Sequence, residues 1–137
     1  MIEIRVPGQP QGKGRARFAK IGGFMRAYTP EKTVAYEGLI ALAGQDVMYG
    51  REHLQGPIDL KIAAVFQIPK GWSQKKRLAA LLNPEWHTGK PDGDNILKAV
   101  GDGLNGIVWR DDSQIARASI SKAYGEAPGL IVTVAPL

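Results

Sequence analysis

No cysteine occurs among the 137 residues, so neither a disulfide framework nor a thiolate zinc site can be built. Histidine is nearly as scarce: His53 and His87 are the two present, which argues against a histidine-rich zinc centre. No run approaches the roughly 18 consecutive apolar residues of a membrane span. The opening Met1-Ile2-Glu3-Ile4-Arg5-Val6 lacks the layout of a signal peptide, so a cytoplasmic location is expected. What is present suffices for one packed domain without staples, since 44% of residues are apolar and 23% charged.

The net charge of +5 suggests an anionic partner, but its distribution says more. Arg5, Lys13, Arg15, Arg17, Lys20 and Arg26 stand against a single acid, Glu3, in the first thirty positions. Lys70, Lys75, Lys76, Arg77 and Lys90 face Glu85 alone further on. The sign then reverses: Asp92, Asp94, Asp102, Asp111 and Asp112 are opposed only by Lys98 and Arg110. An acidic patch on a basic chain is what a metal-dependent enzyme acting on phosphates requires. Acids hold cations at the reacting group, and bases hold the rest of the backbone.

Periodicity supplies a scaffold. Ile2, Ile4 and Val6 alternate with Glu3 and Arg5, a strand that ends at Pro7. Residues 8–30 are Gly-rich and basic and read as a long functional loop or loose hairpin. Thr29 is placed to cap a helix from Pro30 to about Met48, with Val34, Leu39, Ile40, Leu42 and Ala43 turned to a core, stopped by Tyr49-Gly50. Residues 58–68 read as a strand ended by Pro69, and Ser73 as the cap of a short helix through Leu82. Asp94 or Asn95 should cap a third helix to about Leu104, with Leu97, Val100 and Leu104 inward. Strands over 113–123 and 130–134, separated by the turn from Gly125 to Gly129, complete the pattern. The expectation is a single small α+β domain over residues 1–137, one mixed sheet packed by two main helices.

The segment from His87 through Lys98, followed by Trp109-Arg110-Asp111-Asp112-Ser113-Gln114, concentrates the chemistry. Asp92 and Asp94, two apart beside Pro91 and Gly93, suit a rigid loop entering a helix, and Asp111 or Asp112 could close a site from the helix's far side. Mg2+ is usually bound by one or two carboxylates together with waters and substrate phosphates. Phosphodiester hydrolysis needs an activated water and neutralised charge at the phosphate. Lys98, one turn beyond Asp94, could add a positive charge to the transition state. The same residues have an ordinary reading: Asp94 as an N-cap, Asp92 as a turn residue, Lys98 as an i,i+4 partner of Asp94 or Asp102, and Asp111-Asp112 as a turn. Spacing alone leaves both open.

Lys90-Pro91-Asp92-Gly93-Asp94-Asn95-Ile96-Leu97-Lys98, then Asp102-Gly103-Leu104-Asn105, then Asp111-Asp112-Ser113-Gln114, resemble the signature of RusA-type Holliday junction resolvases. The likeness extends to phage-borne members through Gly8-Gln9-Pro10-Gln11-Gly12-Lys13-Gly14-Arg15 and Tyr28-Thr29-Pro30. It implies a RusA-like fold and a homodimer that makes paired nicks across branched, four-way DNA in recombination, repair or phage DNA processing. It also implies that Asp92, Asp94 and Asp112 are catalytic carboxylates binding Mg2+, with Mn2+ as an alternative. Lys98 is then the catalytic lysine and Asp111 a further candidate ligand. Two symmetric cuts are most simply made by two copies about a two-fold axis.

Lys13, Arg15, Arg17, Lys20 and Arg26, interleaved with Phe18, Phe24 and Tyr28, are expected to track phosphates while a ring stacks near the junction centre. Lys70, Lys75, Lys76 and Arg77 offer a second footprint. Trp72 and Trp86 are expected to cover core or interface, and His87 to be structural. The alternatives are a metal nuclease acting on RNA or flaps, and a non-catalytic branched-DNA-binding module.

Overall fold

A computed structural model describes residues 1–14, 17–28 and 30–137. The alternation of Ile2, Ile4 and Val6 makes β1 (Ile2–Pro7), whose buried side chains face the core and whose Glu3 and Arg5 face solvent. β1 pairs antiparallel with β6 (Gly129–Pro136), and β6 pairs antiparallel with β4 (Ile58–Gln67). β4 pairs parallel with β5 (Ile115–Gly125). The sheet order β1-β6-β4-β5 therefore puts the last strand between the first strand and β4. Ile4, Val132, Ile62 and Ile120 stand side by side across all four strands. This mixed sheet is the expected one, and its inner row carries the core.

Two helices cover that row: α1 (Glu31–Met48) and α3 (Gly93–Leu104). A shorter α2 (Gln74–Leu82) is capped as expected, the Ser73 hydroxyl accepting from the Lys76 amide. No helix among the described residues is long and apolar enough to cross a membrane.

The inward face of α1 differs from its expected one. Thr33, Tyr36, Ile40, Gly44 and Met48 are buried, whereas Val34, Leu39 and Leu42 are more than half exposed. The inward stripe follows the line on which α1 approaches α3 most closely, where Gly44 and Gly103 leave no room for a side chain and Tyr36, Ile40 and Met48 fill the space beside them. A Cβ on Gly44 would meet Leu104 Cδ2 at 2.6 Å, and one on Gly103 would meet Ile40 Cβ at 2.9 Å. The residue before the first turn of α1 is Pro30, with no side-chain cap; the expected cap, Thr29, lies outside the described residues.

Residues 8–30 contain a hairpin, β2 (Arg17–Ile21) and β3 (Phe24–Tyr28), turned by Gly22 and Gly23 at φ of 60° and 85°, where glycine carries no Cβ penalty. Arg17 stands opposite Tyr28, Ala19 opposite Arg26 and Lys20 opposite Met25. Every residue of β3 is exposed.

Candidate active site

α3 begins two or three residues earlier than a cap at Asp94 or Asn95 would place it. Asp92 occupies the N-cap position without a side-chain cap bond, and neither Asp94 nor Asn95 is the cap. Asp94 instead sits in the first turn, where the positive end of the helix dipole favours a carboxylate. From there Asp94, Lys98 and Asp102 recur every four residues along the exposed side, while Ile96, Ala99, Val100 and Leu104 fill the core. Lys98 forms no ion pair with Asp94 or Asp102 among the described residues, so the i,i+4 partnership does not hold.

The second acidic segment is fixed by one amide. Asp112 to Gln114 form a single turn of 3-10 helix before β5. The Gln114 Oε1 accepts from the backbone N–H groups of Arg110 and Asp111 at 2.8 and 3.1 Å. Its Nε2 donates to the carbonyls of Leu54 and Gly56, both at 2.9 Å. The side chain thus ties the turn to the segment ahead of β4. The Asp111 carboxylate accepts from the Ser113 amide at 3.0 Å, and the Ser113 side chain together with that amide holds its carboxyl below the usual range. Asp111 is a turn cap, and it does not line the cleft described next.

Asp112 is aimed by Trp109, whose fully buried indole donates from Nε1 to Asp112 Oδ1 at 2.9 Å. The other oxygen, Oδ2, lies toward α3, 3.9 Å from where a Cβ on Gly101 would be. α3 and the turn thereby enclose a cleft of about 440 Å³ lined by Asp94, Leu97, Lys98, Gly101, Asp102, Asp112 and Ile115. Asp92 opens instead on a neighbouring hollow with Lys13, Lys90, Pro91 and Asn95. Three of the four expected catalytic residues meet in one cleft, and Asp92 stands at its flank.

Charge-based reading missed Trp109 altogether and, for Asp102, its partner. Trp109 reads as ordinary core until its indole is seen to hold Asp112; its place three residues before an Asp was the available signal. Asp102 lines the cleft, yet its carboxylate is taken by Lys13 at 2.9 Å.

The basic residues divide. Arg17, Lys20 and Arg26 are exposed on the ribbon, and Arg15 lies outside the described residues. Lys13, expected to contact phosphate, is committed to carboxylates. In α2, Arg77 donates to the carbonyls of Pro69 and Trp72, and the Lys76 ammonium lies 4.0 Å over the Trp72 ring, leaving Lys75 as the exposed cation of that face without such a role among the described residues. Trp72 packs on Tyr124, whereas Trp86 is 65% exposed and does not cover this chain's core. His87 is structural in kind: its ring stacks on Phe66 at 3.6 Å with its edge to Tyr124, and burial lowers its pKa, with the Lys122 charge adding to the effect.

The residues present fit a divalent cation of the Mg2+ type. Two carboxylates, Asp94 and Asp112, line one open cleft with room for waters and a phosphate, the usual complement for that ion. No group of three or more acids and histidines among the described residues forms a dedicated cage.

A small α+β domain with an acidic, lysine-bearing cleft beside an exposed basic ribbon has the equipment of enzymes that cut phosphodiesters. The profile of the family described as endodeoxyribonuclease RusA matches residues 7–135, nearly the whole chain. The chain belongs to that family and is an endonuclease acting on junction DNA. It is also 30% identical over 138 residues to a Bacillus subtilis (strain 168) protein described as uncharacterized protein YqaN, over 97% of this chain and 94% of that one.

Proposed function

We propose that the chain resolves four-way DNA junctions by Mg2+-dependent paired nicks, acting as a homodimer on cytoplasmic DNA in recombination, repair or phage DNA processing. The observation that carries this reading is the convergence of Asp94, Lys98 and Asp112 on one cleft, with Asp112 oriented by a buried indole. Asp94 and Asp112 would hold the cation, with Asp92 assisting from the flank. Bound there, Mg2+ would neutralise phosphate charge and lower the pKa of a water. Lys98 stands one helical turn from Asp94, where its ammonium offsets negative charge building on the phosphate and the leaving oxygen. Leu97 and Ile115 in the cleft wall limit access of bulk water and strengthen these interactions.

The ribbon supports the choice of substrate. Residues 17–28 hold Arg17, Lys20 and Arg26 and no acid, and they display Phe18 and Phe24 at 67% and 71% exposure. Cations match a phosphate backbone, and uncovered rings can stack on bases that a junction leaves accessible. Two copies related by a two-fold axis would present two clefts to strands of like polarity, which accounts for symmetric cuts.

The test is nicking of an end-labelled four-way junction, with and without Mg2+, beside a linear duplex and the Asp94→Asn variant. Metal-dependent, symmetric cuts confined to the junction are expected. The variant should bind the junction and leave it intact. Equal cutting of the duplex, or full activity in the variant, refutes the reading.

A further inference from the structure

The segment that leads into the ribbon is fastened along Gly12 to Gly14, first to α3 and then to α1, with Lys13 reaching both. A Cβ on Gly12 would meet Asn95 Cβ at 2.8 Å and Pro91 Cβ at 2.9 Å, so the backbone lies directly on the start of α3. The Lys13 amide donates to the Asn95 carbonyl at 2.8 Å, and the Gly14 amide donates to Thr33 Oγ1 on α1 at 2.9 Å. Between them the Lys13 ammonium bridges Glu37 of α1 at 2.7 Å and Asp102 of α3 at 2.9 Å. Lys13 is about three-quarters covered, and its two carboxylates raise its pKa, Glu37 most.

A cation held by two carboxylates has little left to offer a phosphate. It does alter the cleft, because Asp102 lines the same wall as Asp94 and Asp112. With Lys13 in place, Asp102 is drawn to α1 and neutralised. Without it, Asp102 joins two other acids opposed by Lys98 alone, and the ribbon loses its charged tie to α3.

We propose that Lys13 is a positioning residue: by holding Asp102 against Glu37 it keeps that carboxylate out of the cation site. The inference rests on reading the cleft as the site of cutting. It replaces the phosphate contact that the basic run suggests for this lysine.

The test uses the full chain with Lys13→Met, Lys13→Arg and the double variant Lys13→Met/Asp102→Asn. Junction affinity is measured against salt in EDTA, and the cutting rate is titrated with Mg2+. Lys13→Met should keep the slope of log affinity against log salt, where a phosphate contact would remove about one unit. Its maximal cutting rate should fall about tenfold, as for a displaced catalytic group, and its half-saturating Mg2+ should drop because the cleft has gained a free acid. Lys13→Arg, and the double variant with its neutral amide, should each recover most of the rate. A slope lower by one unit with the Mg2+ response unchanged overturns the proposal, as does a double variant no better than Lys13→Met. If Lys13→Met does not fold, Lys13→Gln/Asp102→Asn keeps a hydrogen-bonded neutral pair: a wild-type slope and Mg2+ response support the proposal, and a lost unit of slope refutes it. Cutting by Asp94→Asn separately refutes the reading of the cleft.

Discussion

Two glycines in α3, two positions apart, should respond to alanine in opposite directions. Both lie inside the helix, where alanine is favoured over glycine by about 1 kcal/mol. At Gly101 the new methyl would have Asp112 Oδ2 as its nearest neighbour at 3.9 Å, an ordinary contact, so Gly101→Ala should realise most of that gain. At Gly103 the methyl would lie 2.8 Å from Ile40 Cγ2, 2.9 Å from Ile40 Cβ and 3.2 Å from the Glu37 carbonyl. Ile40 is fully buried and branched, and the carbonyl is backbone, so neither yields without moving α1. Overpacking of this kind costs about 1–3 kcal/mol, and backbone contact argues for the upper end. Subtracting the propensity gain leaves Gly103→Ala about 2 kcal/mol less stable than the parent, some 3 kcal/mol below Gly101→Ala. For a domain of this size that separates the thermal midpoints by about 10 °C, readable by calorimetry or circular dichroism. A Gly103→Ala protein as stable as the parent would refute the close packing of α1 on α3. A Gly101→Ala protein that fell with it would refute the open space at the cleft wall.

Trp109→Phe keeps a ring in the core and removes the donor to Asp112. We expect the maximal cutting rate to fall about tenfold or more, with junction affinity unchanged, because a hydrogen bond to a charged acceptor is worth about 1.5–3 kcal/mol before screening at this exposed carboxylate. An unchanged rate would show that the indole does not aim it. The His87 pKa is lowered chiefly by burial, so the unfolded chain binds this proton at higher pH than the folded one. Stability should therefore fall as pH drops below about 6.5 and level off below the folded value. His87→Phe should erase that slope in thermal midpoints measured between about pH 7 and 5, and a slope that survives would assign it to another group.

Strands were legible wherever one face is buried, because alternation carries the signal. Ile2-Glu3-Ile4-Arg5-Val6 and the start of β4 announced themselves this way. Helix α1 was legible as a helix but not in its orientation: the crossing with α3 is set by distance, which apolar counting over Val34, Leu39 and Leu42 cannot register. The acidic cleft was largely visible, since Asp94 and Lys98 are tied by helical spacing and Asp112 belongs to a short turn. The roles of Lys13 and Arg77 were hidden, and that of Asp111 left open between turn residue and ligand, for a common reason. Each is charged, and charge says that a side chain needs a partner without saying whether it is a backbone amide, a carboxylate, a carbonyl or DNA. Their partners lie near and far in sequence, from Ser113 beside Asp111 to Asp102 facing Lys13.

The placing of β6 between β1 and β4 bears on how the enzyme comes into being during synthesis. Until residues 129–136 are made, β1 has no neighbour and β4 has one open edge, so the surface that seats α1 and α3 is incomplete. Asp94 and Asp112 are translated earlier, yet the geometry that sets them facing one another depends on a sheet finished by its central strand. A nascent chain is therefore expected to complete its cleft only once β6 pairs between β1 and β4.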